Sequence, residues 1–343
     1  MPITKIRLSL CLPLFKWLFP IINGATGFSK LTMCLTIITV GISLASSLAM
    51  AAGQINGGLR YILGMPTLQI TPWILLGIFI TYSLISVTPI NKGMKTLSDW
   101  TIIVALLIMA FVFLTGPTRY FMMTFVESIY NAAIGSVEHS FRLFIFDEDR
   151  YWINWFSMSY WIWWIGWTPF MGIFIAKVSK GRTFREMVLY SIFVPAGFIL
   201  LWFSIFSGFG VLETMKGSGK LAEIAGSNYQ ETIYAMLDMF PLSWLTKPVL
   251  AILFLAFVTT TIVSGCISLG IMTGKDGINA SKPKILIWGT FMSAIALPFV
   301  LSGRIEGIKA VGSLAGAPYM FCFFILIAAF LKMVRRDFRE RSL

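Results

Sequence analysis

The sequence predicts an all-α membrane protein that crosses the bilayer eight times and keeps both termini in the cytoplasm. Three observations carry this. Of its 343 residues, 57% are hydrophobic and only 12% are charged, against about 25% charged in a soluble globular chain. So little charge cannot cover a surface in water, so lipid must be the solvent for much of the chain. Eight apolar runs each approach the roughly 20 residues that a helix needs to cross the hydrocarbon core. The loops between those runs alternate in charge.

The runs are residues 32–55, 69–89, 99–117, 152–176, 187–210, 247–273, 284–303 and 313–334. Backbone polar groups find no partner in lipid, so each run is expected to pair its own as a helix. The N-terminal segment, every second loop and the C-terminal tail hold 18 of the 27 basic residues and five of the 15 acidic ones; the opposite loops hold the remaining nine and ten. The positive-inside rule places the basic side in the cytoplasm, and eight crossings put both ends there. Residues 1–22 carry Lys5, Arg7 and Lys16, with Pro13 and Pro20 breaking the apolar run. That pattern suits an interfacial cytoplasmic segment better than a cleaved signal.

Two of the outer loops are long. Residues 119–150 hold Phe121, Met122, Met123, Val126, Ile129, Tyr130, Ala133, Ile134 and Val137 at helical spacing, then the acidic run Asp147, Glu148 and Asp149. They read as an amphipathic connector lying on the outer face. Residues 212–246 start rich in glycine and serine between Lys216 and Lys220, and turn helix-like from Glu231 to Met239. Both segments read as packed connectors, with a lid as the alternative. Residues 335–343 form a basic tail, and the whole chain reads as one membrane domain.

Several kinds of chemistry are excluded. Cys11, Cys34, Cys266 and Cys322 show no C-x-x-C spacing and His139 stands alone, so no metal centre is expected. The net charge of +12 follows from loop topology rather than from a nucleic-acid partner. Ionisable residues are costly within a span and mark function there, but Asp99 and Lys247 lie only at span ends. Neither a proton relay nor an intramembrane hydrolase fits, and no hydrolase or phosphate-binding motif is found. The chain is not expected to be an enzyme.

The fourth span stands out. Tyr160, Trp163, Trp164 and Trp167 recur at i, i+3, i+4 and i+7 and share one helix face, while Trp161 points away. An interfacial aromatic belt accounts for Trp152 and Trp155. It does not account for Trp167, about 15 residues and roughly 20 Å into the span. Stacked aromatic faces with no acid nearby suit a weakly hydrated cation, above all a quaternary ammonium. Plain helix packing is the alternative.

Tyr160, Trp161, Trp163, Trp164, Trp167, Pro169 and Phe170, followed by Gly172, Phe174, Ser179, Gly181, Arg182, Thr183, Arg185 and Glu186, resemble the signature of the betaine/choline/carnitine transporters. Similar segments stand at Gln54–Leu59 and Gly116–Thr118, and the resemblance covers essentially the whole chain. It implies an inverted five-helix-repeat fold of the LeuT type, with eight of twelve transmembrane helices present and the solute held near the midplane. Residues 1–118 would be an incomplete first repeat with its last three spans, and 151–334 a complete second repeat.

By the same resemblance, Trp163, Trp164 and Trp167 form a box around a trimethylammonium group, with Trp161 and Tyr160 beside it. Ser43 and Ser47, with Phe170, match one sodium position of the sodium-coupled members; Thr259 and Thr260 fall near a second. Na+ is then the coupling ion the resemblance offers, with sodium-independent exchange as the alternative, and no other cofactor is implied. The expected setting is a bacterial inner membrane, and the expected partners are a methylated cationic or zwitterionic solute, the bilayer and two further copies in a homotrimer. With four helices missing at the front, the other expectation is a truncated, non-transporting remnant or interaction subunit.

Overall fold

The computed structural model describes residues 27–64, 70–87, 90–141, 153–179, 181–274, 280–302 and 305–342. The predicted N-terminal interfacial segment and the acidic run Asp147–Asp149 lie outside them. The described residues form helices α1 (Gly27–Leu63), α2 (Thr71–Val87), α3 (Ile90–Thr115) and α4 (Thr118–Phe141). A π-helical turn at Ile153–Met158 leads into α5 (Ser159–Val178), followed by α6 (Phe184–Lys216). Two short helices, α7 (Lys220–Asn228) and α8 (Thr232–Leu237), precede α9 (Ser243–Met272), α10 (Lys282–Ser302) and α11 (Ile305–Ser342). The protein is an all-α membrane protein.

The described residues of each of the eight predicted spans are helical over nearly all their length. Six helices (α1, α3, α6, α9, α10 and α11) are long and apolar enough to cross a membrane. The other two predicted spans fall short of that measure for separate reasons. Helix α2 has only 17 residues, and the tryptophans of α5 are less apolar than the aliphatic residues of its neighbours. Several helices also overrun the predicted spans: α1 continues to Leu63 and α11 to Ser342, because polar ends that leave the hydrocarbon can extend a helix without penalty.

Helix α1 is the central mast. Its 37 residues reach about 56 Å at 1.5 Å per residue, and it packs against α2, α5, α8, α9, α10 and α11. Ser43, Leu44, Ala45, Ser46, Leu48, Ala49 and Ala52 are all buried, the pattern of a helix enclosed on every side. Its neighbours meet it in a first core that joins Leu44, Leu48, Tyr82, Phe170, Ile262, Cys266, Ile285 and Met292. A second core joins Ala105 and Val112 of α3, Phe121 of α4, Ile205 and Phe206 of α6, Tyr234 and Leu237 of α8, and Leu250 of α9. The outward faces are apolar too, as at Ile192, Phe193, Val194 and Phe203 on α6, which is what a surface facing lipid requires.

Lipid tails are as apolar as leucine, so hydrophobicity does not pull helices together in the membrane; close packing does, and glycine permits it. Gly316 of α11 lies so near the Ile162 carbonyl of α5 that a Cβ there would collide with it. Gly289 of α10 faces the ring of Tyr82 in the same way. We expect Gly316→Val to cost about 1–3 kcal/mol by overpacking, seen as a lower melting temperature of the detergent-purified chain. Gly307→Val, where a side chain meets none of the described residues within 4 Å, should melt with the parent.

Candidate functional site

Helix α5 carries a ladder of aromatic rings. Phe156 stacks on Tyr160 at 6.5 Å between centroids, and Tyr160 meets Trp163 at 5.8 Å. Trp163 meets Trp167 edge-on at 6.2 Å, and Trp167 meets Phe170 at 5.8 Å. Trp164 joins from the side, 5.4 Å from Trp167. These contacts follow from the i, i+3, i+4 and i+7 spacing, which stacks side chains along one helical face. Offset and edge-to-face rings at such distances attract one another and hold the ladder stiff.

The ladder divides in exposure. Phe170 is buried in the first core, and Tyr160, Trp163 and Trp167 are half-buried. Trp164 remains 57% exposed and Trp161 72% exposed. Trp163 and Trp167 therefore turn toward the bundle, while Trp161 and Trp164 stand on an open face of α5.

Trp163 is the best-held of the four tryptophans. Its Nε1 donates to the Ser43 carbonyl of α1 at 3.4 Å. On the other side Gly312 of α11 leaves room for the ring, since a Cβ there would come within 3.1 Å of Trp163 Cδ1. Gly312 and Gly316 form a small-xxx-small pair. The sequence reading missed it, although the spacing G-S-L-A-G is plain in an apolar run. Gly166 plays the same part toward α1, where an added Cβ would lie 2.6 Å from Ser43 Oγ.

The hydroxyls behave differently from one another. Ser47 Oγ donates to the Ser43 carbonyl at 2.8 Å, so that carbonyl accepts from both Ser47 and Trp163. Thr259 Oγ1 donates to Leu255 O and Thr260 Oγ1 to Phe257 O, each within α9. No described hydrogen bond joins these threonines to the serines. Ser43 Oγ is buried and has no hydrogen-bond partner among the described residues. A buried hydroxyl left in that state costs about 1–3 kcal/mol, so it needs an explanation. Among the described residues no cluster of histidine, cysteine or carboxylate side chains is arranged to hold a metal ion.

The chain matches the family model for betaine/carnitine/choline transporters over residues 7–339. It belongs to that family. It is 34% identical to the glycine betaine transporter OpuD of Bacillus subtilis over 321 residues, 93% of this chain and 62% of that protein. An ectoine/hydroxyectoine transporter of Virgibacillus pantothenticus is 27% identical over 92% of this chain and 63% of its own length. The high-affinity choline transport protein of Escherichia coli is 28% identical over 98% of this chain and 51% of its own length. The chain thus spans between half and two-thirds of these curated relatives. They are named as transporters, not as enzymes.

The orphan hydroxyl gives a direct test of the local geometry. With no ion present, Ser43→Ala should raise stability by about 1 kcal/mol, because it removes an unpaired polar group. Thr39→Val should lower it, since Thr39 Oγ1 donates to the Ala315 carbonyl at 2.9 Å and ties α1 to α11. Thermal melting of the two variants in sodium-free buffer checks both signs.

Proposed function

We propose that this chain carries the aromatic wall of the solute site of a secondary transporter for quaternary ammonium compounds such as glycine betaine, choline or carnitine. The observation that carries the reading is the ladder Tyr160–Trp163–Trp167–Phe170, set well inside α5. A trimethylammonium group cannot donate hydrogen bonds and is weakly hydrated, so ring faces can replace its water at little cost. Trp163 and Trp167 supply the inner faces, and Trp164 and Trp161 line the open side. The opposite wall comes from the part of the relatives' length that this chain does not span. Loop charges then orient the basic ends of the helices toward the cytoplasm.

Na+ as the coupling ion belongs to the same proposal. Small hard cations take oxygen ligands, and the orphan Ser43 Oγ is an oxygen of that kind, buried on α1 where α5 crosses at Gly166. Phe170, one helical turn past Gly166 on α5, is buried in the first core and belongs to the same proposed site. The hydroxyls of Thr259 and Thr260 donate within α9, which leaves their lone pairs free to accept a cation.

A second reading has its own support. Trp164 and Trp161 face outward at 57% and 72% exposure, and a half-open box holds a solute weakly. The chain by itself would then be a non-transporting relative or a subunit that completes another polypeptide.

Binding separates the readings. Choline or glycine betaine should quench the tryptophan emission of the chain in nanodiscs. Trp163→Ala or Trp167→Ala should each weaken that response by about 30-fold, the equivalent of about 2 kcal/mol for a desolvated cation–π contact. Unaltered binding in both variants would refute the assignment. Na+ should raise the melting temperature of the parent and leave Ser43→Ala unmoved, because a ligand stabilises only the state that binds it.

A further inference from the structure

The turn between α5 and α6 carries the part of the signature run that the aromatic ladder leaves unused: Ser179, Gly181, Arg182, Thr183, Arg185 and Glu186. With Lys177 and Lys180 it lies on the side that loop charge assigns to the cytoplasm. Ser179 follows Trp167 by 12 residues, about 18 Å along a helix, well away from the ladder.

The turn is tight. The Arg182 backbone N–H donates to the Ser179 carbonyl at 3.0 Å, and Gly181 sits at φ +89°, in the left-handed region that glycine tolerates. Helix α6 then opens with a capping box: the Glu186 N–H donates to Thr183 Oγ1 at 3.2 Å, and the Thr183 N–H to Glu186 Oε2 at 3.0 Å. The box fixes the Glu186 carboxylate in the first turn of the helix, where negative charge is stabilised. Turn and box together frame a cavity of about 430 Å³, lined by Ser179 and Arg182 on one side and by Glu186, Met187, Tyr190 and Ser191 of α6 on the other. Small-molecule sites occupy about 300–1,000 Å³.

The lining has a definite chemistry. Ser179 is buried, while Arg182 is exposed and joins no ion pair among the described residues. One positive and one negative side chain face the cavity, so neither a plain anion nor a plain cation is favoured there. A small molecule that carries both charges is matched at both ends. The planar guanidinium of arginine pairs with a carboxylate through a fork of N–H groups. One turn along α6 from Glu186, Tyr190 is 60% exposed, and a methylated ammonium is attracted by a phenol ring as well as by a carboxylate. An interfacial aromatic belt would explain Tyr190 by itself, but not the opposed charges beside it.

We propose that this cavity is a second solute site, on the cytoplasmic side, for small zwitterions that carry a carboxylate and a methylated ammonium. Arg182 and Ser179 hold the carboxylate, and Glu186 and Tyr190 the cationic end. The site requires both charges, so it accepts glycine betaine and rejects choline, whereas the ladder asks only for the ammonium group. It shares no residue with the ladder and fills with solute already inside the cell.

Equilibrium dialysis of radiolabelled glycine betaine and choline against the chain in maltoside micelles, whose headgroups are uncharged, tests this. Arg182→Gln should weaken glycine betaine binding at this site about tenfold, the scale of a lost hydrogen bond to a charged group, and leave choline binding unchanged. Glu186→Gln keeps a capping side chain at the third helical position but removes the negative charge. From that variant 3,3-dimethylbutanoate, the carbon isostere of glycine betaine without its cation, should displace labelled glycine betaine at about fivefold lower concentration than from the parent, the scale of one exposed charge contact. The Arg182-dependent component should persist in Trp163→Ala, so failure of the ladder reading would not disturb it. An Arg182→Gln chain that binds glycine betaine like the parent, or loses choline in equal measure, would overturn the proposal. So would an isostere that competes no better after Glu186→Gln.

Discussion

Close approach between helices, bought by small residues, is the constraint on which the rest of this structure depends. In water, a helix with an apolar stripe is driven onto its neighbours; in lipid that drive vanishes, and the contact itself must supply the energy. The chain answers with glycine opposite a large group at each crossing of consequence. Gly316 receives the Ile162 backbone, Gly312 the Trp163 ring, Gly166 the Ser43 hydroxyl, and Gly289 the ring of Tyr82. Three of these four notches fix α5 against α1 and α11. The aromatic ladder owes its position to them more than to any contact among its own rings.

The same constraint links packing to chemistry. Because Gly312 admits Trp163 so closely, its indole N–H can reach the Ser43 carbonyl. Because Gly166 brings α5 onto α1, Ser43 Oγ is buried and has no hydrogen-bond partner among the described residues. The cost of that orphan group is modest against the packing around it, and it leaves an oxygen in waiting beside the ladder. A serine elsewhere on α1, Ser46, donates its hydroxyl hydrogen bond to the Ile42 carbonyl at 2.8 Å and carries no such demand.

Much of this was legible in the sequence, for reasons that also mark the limit. Hydrocarbon thickness sets a length scale, so all eight runs could be located, and the period of 3.6 put Tyr160, Trp163 and Trp167 on one face. Helix ends were less legible. Residues 56–63 continue α1 past the predicted span, and their contacts with Gln230, Glu231 and Tyr234 are distant in sequence. The π-helical turn at Ile153–Met158 leaves no pattern in composition. Periodicity grouped Trp164 with Trp163, but 100° of rotation separates neighbours, enough to leave one against α11 and the other 57% exposed. The glycine pair Gly312 and Gly316 is legible as a small-xxx-small spacing, but the Trp163 ring and Ile162 carbonyl that it receives lie about 150 residues away in sequence.

The central claim is that ring faces, and not shape alone, recognise the solute. Progressive fluorination of Trp163 and Trp167 tests it most directly, since fluorine drains the negative face of the indole while barely changing its size. Binding of choline to the chain in nanodiscs would be compared with that of its neutral carbon isostere, 3,3-dimethylbutanol. Choline affinity should fall stepwise with each added fluorine while that of the isostere stays flat. Parallel behaviour of the two solutes, or no response to fluorination, would contradict the account.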